Sequence, residues 1–137
     1  MTKKSKQIII LIFSIILIVI LYNIYIYVRN NSVDYQMDKL QNGNTEEKIR
    51  AISYLSDNKI TDVVPLLIEN IDNENRGFWA KDPKGGLETI SCVATFELQS
   101  LTSNNLGSTC YWDTETDNDK VAIIKKWKEW YNNNYTK

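Results

Sequence analysis

The hydrophobic positions of this chain follow a continuous pattern near the start and a periodic pattern later. Residues 8–28 are 21 consecutive uncharged positions, nearly all of them Ile, Leu, Val, Phe or Tyr. A helix of that length reaches about 31 Å, which matches the hydrocarbon core of a bilayer. We interpret residues 8–28 as an uncleaved signal-anchor, because a secretory signal peptide has a shorter apolar region and a small-residue cleavage site. A signal peptide that is removed is the alternative interpretation.

Beyond residue 44 the apolar positions recur at helical spacing and predict four short amphipathic helices. Their stripes are Ile49, Ile52 and Leu55; Val64, Leu67, Ile68 and Ile71; Leu87, Ile90, Ala94, Leu98 and Leu101; and Val121, Ile124, Trp127 and Tyr131, with Ile123 and Trp130 widening the last one. None of these helices is expected to fold alone, and no segment has strand periodicity of comparable quality. The sequence therefore predicts an all-α domain of two helix pairs over residues 45–137. The polar residues 29–44 are expected to form a juxtamembrane linker.

A long predicted loop separates the two helix pairs. Residues 72–86 hold turn-forming pairs such as Asp82-Pro83, and among them lie Arg76, Phe78 and Trp79. Aromatic residues beside an arginine are typical of protein–protein hot spots, so these three residues form a candidate interaction loop. In the alternative interpretation the two rings fold back and cover the gap between the helix pairs.

Two segments resemble a known repeat. Residues 48–56 read KIRAISYLS, and residues 63–72 read VVPLLIENID. Together they look like one HEAT repeat, in which a first helix with an R-A-x-x-x-L core precedes a second helix reading V-P-x-L-I-x-x-L-x-D. The positions that carry this resemblance are Arg50, Ala51, Leu55, Val64, Pro65, Leu67, Ile68, Ile71 and Asp72.

A second unit that resembles the repeat begins at residues 93–101 and ends at residues 126–131. Leu55 and Leu101 lie 46 residues apart, which is within the repeat length of the family. The resemblance covers about residues 45–131; it implies a helical scaffold for protein contacts and no reaction. Two units are fewer than the three that usually build a solenoid, so a compact domain of about four helices is expected.

The distribution of charge sets the expected topology and partners. Three lysines precede the apolar run, and one arginine follows it closely: Lys3, Lys4, Lys6 and Arg29. The positive-inside rule predicts a cytoplasmic tail at residues 1–7 and an extracytoplasmic position, in the periplasm or at the cell surface, for residues 30–137. That outer part holds all 17 carboxylates and 12 Lys and Arg, a formal charge of −5. Because nucleic-acid binding needs clustered basic residues, the expected partners are the bilayer, through residues 8–28, and an unidentified envelope protein.

The residue types available limit the chemistry of the domain. Histidine is absent, which removes the commonest general base and the commonest metal ligand. No nucleophile beside a base and no phosphate-binding glycine pattern is present, so we expect a non-enzymatic protein without a cofactor. The two cysteines, Cys92 and Cys110, are too few for a structural zinc site, but one disulfide between them would add on the order of 3 kcal/mol in the chain-entropy model. Two buried thiols are the alternative.

An acidic run, residues 113–119, has oxygen donors at alternate positions, like the start of a calcium loop. The twelfth position counted from Asp113 is Ile124 rather than a glutamate, and the turn glycine is missing at Asn118. No metal is therefore expected. In the alternative interpretation the last residues of this run cap the final helix and complement its dipole.

Three tryptophans, Trp112, Trp127 and Trp130, form a candidate aromatic pocket, although on an amphipathic helix Trp127 and Trp130 are more often core residues. Our leading hypothesis is a HEAT-like protein-interaction module on the outer face of a bacterial membrane, which docks through residues 73–86 and its exposed helix faces. The alternative is a structural, glycan-binding or peptide-binding envelope protein that uses the tryptophan pocket.

Overall fold

The structure of the protein is a computed structural model that describes residues 3–81 and 86–135, with side chains from residue 11 onward. The chain divides into two units, Met1–Tyr35 and Gln36–Lys137. The predicted turn at Asp82-Pro83 lies outside the described residues, and so do the side chains of the three lysines that precede the apolar run.

The first unit is built around one long helix, α1 (Lys3–Asn30). Its stretch Leu11–Asn30 is 20 residues long and has a mean hydropathy of 2.5, and the rest of the chain buries none of it. This N-terminal helix is therefore long and apolar enough to cross a membrane. Asn23 interrupts the stretch, but its side-chain amide donates to the Val19 carbonyl oxygen at 2.7 Å, so the helix itself satisfies that donor.

The second unit is mainly helical and contains one small sheet. Its elements are most of α2 (Val33–Asn42), then α3 (Thr45–Asp57), a 3-10 turn (Thr61–Val63), α4 (Val64–Glu69), β1 (Arg76–Phe78), β2 (Leu87–Thr89), α5 (Ile90–Thr102) and α6 (Asp117–Tyr135). The prediction of a helical class is confirmed, but all-α is too strict, because β1 and β2 form a two-stranded antiparallel sheet. Each strand has only three residues, too few to produce a readable alternation.

Helix α2 occupies most of the stretch 29–44 that was predicted to be a linker. Leu40 is its one buried residue, so its sequence shows little apolar periodicity. A tight turn leads from α2 into α3, where Asn44 Oδ1 accepts a hydrogen bond from the Glu47 N–H and Glu47 Oε2 accepts one from the Asn44 N–H. Lys39 Nζ lies 2.6 Å from Glu47 Oε1, and together with the hydrogen bond from the Asn44 N–H it lowers the pKa of Glu47.

The core of the second unit is formed mainly by the stripes of α3, α4 and α5. Helix α3 packs against α5, and α4 packs against both α5 and α6. The fully buried members include Ile49, Ile52, Leu55, Val64, Leu67, Ile71, Ile90, Val93, Leu98 and Trp127. On α6, Ile123 and Trp127 of the predicted apolar face are buried, whereas Val121 is 64% exposed and does not belong to the core.

Candidate functional site

The two-stranded sheet presents one face to the helices and the other to solvent. Successive side chains of a strand alternate between faces, and directly opposite residues share a face. The register places Gly77 opposite Glu88 on the inner face. The outer face carries the two remaining opposite pairs, Arg76 with Thr89 and Phe78 with Leu87, and of these four residues Thr89 is the buried one.

The inner face of the sheet lies directly on α3. A Cβ atom added to Gly77 would lie 2.9 Å from Ile49 Cδ1, so only a glycine allows this close approach. The outer edge of β1 is also occupied, because the Phe78 N–H donates to Glu46 Oε1 at 2.9 Å. Strand β1 is thus fastened to α3 by packing and by a charge-assisted hydrogen bond.

The outer face carries the two large apolar side chains of the sheet. Phe78 is 53% exposed and Leu87 is 61% exposed. They form a non-hydrogen-bonded pair, since the flanking cross-strand bonds run from the Ile90 N–H to the Asn75 oxygen and from the Trp79 N–H to the Gly86 oxygen. Side chains approach most closely in such pairs, so Phe78 and Leu87 present one continuous apolar surface, which we call the Phe78–Leu87 pair.

Trp79 and Phe78, which were predicted together, have different environments. Trp79 is 1% exposed, and its indole Nε1 donates to Ser53 Oγ at 3.1 Å. Its ring meets Phe96 edge-on at 5.2 Å and stacks on Trp112 at 6.1 Å between centroids. For Trp79, therefore, the interpretation as a covering residue is right and its assignment to an exposed interaction loop is wrong. Arg76 and Phe78 are exposed, as that assignment requires.

An ion-pair network attaches the connection between the strands to two helices. Lys81 Nζ lies 2.5 Å from Glu97 Oε1 on α5 and 2.8 Å from Asp57 Oδ1 on α3. Glu97 is fully buried, and its second oxygen accepts a hydrogen bond from Ser56 Oγ at 2.6 Å. Partial burial alone would lower the pKa of Lys81, but hydrogen bonds and charges from Asp57 and Glu97 outweigh it and raise that pKa.

A cleft of about 220 Å³ opens between the sheet and the start of α6. Its lining residues are Arg76, Leu87, Glu88, Thr89, Thr109, Tyr111 and Lys120. Among the described residues Arg76 has no ion-pair or side-chain hydrogen-bond partner, and Lys120 Nζ lies 4.0 Å from Glu74 Oε2. A neighbouring cleft shares Tyr111 and Lys120 and continues along residues 114–117.

The cysteine pair positions the loop that forms the far wall of this cleft. Cys92 and Cys110 Sγ atoms lie 2.05 Å apart, at disulfide distance, as predicted, and both residues are buried. Beside them Thr109 Oγ1 lies 2.8 Å from Ser91 Oγ, and the Thr109 N–H donates to Thr95 Oγ1 at 2.9 Å. These contacts hold the loop residues before Tyr111 against α5.

The predicted pocket of Trp112, Trp127 and Trp130 does not form among the described residues. Ring contacts divide the three into two clusters, because Trp112 stacks with Trp79 whereas Trp127 meets Trp130 edge-on at 5.6 Å. Trp127 is fully buried and donates its indole N–H to the Gly107 oxygen at 2.9 Å. Trp127 is thus a core residue and not the wall of an aromatic pocket.

The acidic run before α6 acts as a helix cap. Asp119 Oδ2 accepts hydrogen bonds from the N–H and hydroxyl of Thr116, and these bonds lower the pKa of Asp119. Asp113 accepts a hydrogen bond from Ser108 Oγ. Within residues 3–81 and 86–135, no group of three His, Cys, Asp or Glu side chains is arranged to hold a metal ion.

A third cleft, of about 480 Å³, lies at the ends of α3 and α5 and is lined mainly by hydroxyl and charged side chains. Two of its residues, Lys59 and Ser103, have left-handed backbones with φ of 56° and 57°. Ser103 is the C-cap of α5 and Lys59 follows Asn58, the C-cap of α3, so both lie where left-handed conformations terminate helices and need no functional explanation.

No family model, curated protein or solved structure matches this chain. The resemblance to HEAT repeats therefore stays a prediction. Sequence reasoning identified Arg76 and Phe78 but missed Leu87, Tyr111 and Lys120. Leu87 had been assigned to the stripe of the third helix, whereas α5 begins only at Ile90. The cysteine pair was the available signal for Tyr111, because a bond from α5 to Cys110 brings the next residue close to the start of that helix.

Proposed function

We propose that this chain is a membrane-anchored, non-enzymatic docking module that binds a protein of the cell envelope through the outer face of its sheet. One observation carries the proposal: the Phe78–Leu87 pair is exposed on a unit whose other large apolar stripes are mostly buried. Adjacent exposed apolar side chains beside a charged arginine are typical of protein interfaces.

The attachment of the sheet supports this role, because a preorganised surface loses little conformational entropy when it binds. Glu46 holds the outer edge of β1, and Trp79 is buried immediately after Phe78. Lys81 is paired with both α3 and α5. An isolated two-stranded hairpin would be marginal in water, so these contacts are what keep the Phe78–Leu87 pair in place.

We further propose that α1 crosses the cytoplasmic membrane and that the second unit lies outside the cytoplasm. The lysines at positions 3, 4 and 6 support this orientation by the positive-inside rule. The Cys92–Cys110 pair supports it independently, because disulfides persist in oxidising compartments and are rare in the cytosol.

The packing of the helices is compatible with two stacked HEAT-like units, which is the scaffold we propose. In such a stack the first helices of neighbouring units lie side by side, and so do the second helices. Here α3 packs against α5, and α4 packs against α6. The sheet would then be an insertion between the units, placed where it adds a binding surface to the scaffold.

The alternative function, binding of a glycan or peptide by tryptophans, has less support. Of the residues that line the three clefts described above, none is a tryptophan. The rings of Trp79 and Trp127 are buried and already use their indole N–H groups within the chain. We therefore favour docking through the sheet.

Site-specific photo-crosslinking in intact cells tests this function. A benzophenone amino acid replaces Phe78 in the full-length chain, and in a matched control it replaces Tyr135, an exposed aromatic residue of α6. We expect a discrete envelope protein to be crosslinked from position 78 and not from position 135. Leu87→Ser should abolish the adduct, whereas Val121→Ser, at a similarly exposed position, should leave it intact. Identical adducts from both positions, or none from position 78, would overturn the proposal.

A further inference from the structure

We infer that the docking partner presents the carboxylate of an aspartate or glutamate side chain to the cleft between Arg76 and Lys120, beside an apolar residue on the Phe78–Leu87 pair. This chemistry depends on the docking function proposed above, since it specifies what the same surface selects. Leu87 connects the apolar surface to the charged cleft, because it belongs both to the Phe78–Leu87 pair and to the lining of the cleft.

The size of the cleft favours a single side chain. Small-molecule sites usually measure about 300–1,000 Å³. The cleft beside Leu87 measures about 220 Å³, so it suits one side chain of a partner better than an independent ligand. An extended segment that places an apolar residue on Phe78 can place a neighbouring side chain in this cleft, because strand residues advance only about 3.3 Å each.

The charges of the lining favour an anion. Arg76 and Lys120 both line the cleft, and the ion pair that Lys120 makes, with Glu74, has the long distance of 4.0 Å between Nζ and Oε2. Glu88 also belongs to the lining, but it is buried, and the alternation of β2 directs its side chain to the inner face of the sheet with Gly77. The exposed Arg76 and the partly exposed Lys120 thus line this cleft on a domain that is acidic overall. Complementary charges of this kind fix the register of a charged partner.

The hydrogen bonds already made around the cleft indicate a side-chain carboxylate rather than a chain end. Backbone N–H groups arranged as a nest are the usual donors for a terminal carboxylate. Here the first N–H groups of α5 are occupied: Ile90 donates to the Asn75 oxygen, Ser91 to the Asn73 oxygen, and Cys92 to Thr89 Oγ1. The charged donors of the lining are the side chains of Arg76 and Lys120, and a guanidinium pairs with a carboxylate through two parallel hydrogen bonds.

Peptide selection on the full-length chain tests this inference. The chain in nanodiscs is panned against random nonapeptides displayed as internal inserts, which have no free carboxyl terminus, and binders of empty nanodiscs are discarded. We expect the enriched sequences to share an Asp or Glu within two positions of a large apolar residue. Failure to enrich any peptide over empty nanodiscs, or enrichment without an acidic position, would overturn the inference.

Matched variants then assign the contacts. An enriched peptide is synthesised with blocked ends, and its affinity is measured by fluorescence polarisation. Arg76→Gln and Lys120→Gln should each weaken binding about tenfold, as should replacement of the peptide's acid by its amide. Lys125→Gln, at an exposed position of the same helix as Lys120, should leave the affinity unchanged. Circular dichroism spectra that match those of the parent chain show that the variants are folded.

The outcomes separate this inference from the docking function. If the crosslink from position 78 persists in Arg76→Gln and Lys120→Gln with unchanged yield, docking stands and the carboxylate assignment fails. If a peptide with a free carboxyl terminus binds tenfold more tightly than its amide, the recognised carboxylate is a chain end and the side-chain assignment fails. Because Leu87 also lines the cleft, loss of the adduct in Leu87→Ser supports docking at this surface, whereas Arg76→Gln and Lys120→Gln test the carboxylate assignment.

Discussion

Lys81 and Glu97 form an ion pair between the connection of the strands and the buried surface of α5, with Nζ and Oε1 2.5 Å apart. Glu97 is fully buried, so its charge depends on this contact and on Ser56. A buried carboxylate without a counter-charge is unfavourable. The pair therefore links the position of the sheet to the stability of the helical core.

Removal of the Lys81 ammonium should destabilise the fold measurably. We expect Lys81→Ala to lower the free energy of unfolding in urea by about 1–3 kcal/mol, because within the described part of the chain the buried Glu97 carboxylate would then keep only the hydrogen bond from Ser56 Oγ. Lys125→Ala removes a lysine from an exposed pair with Glu129 on α6 and should change that free energy by less than about 0.5 kcal/mol. Equal effects of the two substitutions would contradict a special role for the Lys81–Glu97 pair.

The pH dependence of stability should be flat near neutrality and steep in acid. The raised pKa of Lys81 means that its contribution is complete below the ordinary lysine pKa of about 10.4 and is lost only as pH rises through the raised value. The lowered pKa values of Glu47 and Asp119 have the opposite sign: their contributions are complete above the ordinary carboxyl pKa values of about 4 and are lost as pH falls through the lowered ones.

Circular dichroism at 222 nm from pH 9 to pH 2 checks this dependence. Helicity should stay constant between pH 9 and pH 6 and fall below about pH 4, as the caps of α3 and α6 are protonated. Glu47→Gln keeps a side-chain oxygen at the cap but cannot titrate, so part of the acid loss should disappear in that variant. A helicity that declines steadily between pH 9 and pH 6 would indicate a different titrating group.

The helices of the core could be predicted from the sequence because their stripes are long and strongly apolar. Ile49, Ile52 and Leu55 are buried on α3 where the pattern placed them. The cysteine pair could be predicted because the chain has two cysteines and both lie in the part expected outside the cytoplasm, although two buried thiols were the alternative. The sheet could not be predicted, since three residues in each strand do not make a period. Its strands form because the surroundings fix them: Glu46 satisfies one edge, and Trp79 and Lys81 attach the connection.

The candidate site was predicted only in part, because it too depends on contacts between segments that are distant in the sequence. Arg76 and Phe78 were identified by residue type in a polar loop, but exposure depends on register, which the sequence did not specify. Phe78 faces solvent and its neighbour Trp79 is buried because the chain folds back onto α3 directly after β1. Lys120 lies 44 residues after Arg76, so only the packing of α6 near the sheet reveals that both line one cleft.

The Cys92–Cys110 pair should behave as a stabilising, protected disulfide. In denaturant without reductant neither cysteine should react with a maleimide, and both should react after reduction. The double variant Cys92→Ala, Cys110→Ala should lose about 3 kcal/mol of unfolding free energy, because the bond closes a loop of 18 residues. Maleimide labelling of the denatured, unreduced chain purified from cells would contradict an oxidised pair.

Substitutions of Phe78 and Trp79 should have different effects: one should remove partner binding, and the other should lower the stability of the fold. Trp79→Ala should lower the free energy of unfolding by about 3–5 kcal/mol, because it empties a buried aromatic position beside Phe96 and Trp112. Phe78→Ser should change that free energy by less than about 0.5 kcal/mol, since the ring is 53% exposed. The same Phe78→Ser chain should nevertheless lose its envelope partner, measured as crosslinking from a benzophenone placed at Tyr111 on the wall of the cleft. If Phe78→Ser retains the partner while Trp79→Ala loses it only in proportion to unfolding, the exposed ring has no part in docking and the binding surface lies elsewhere on the domain.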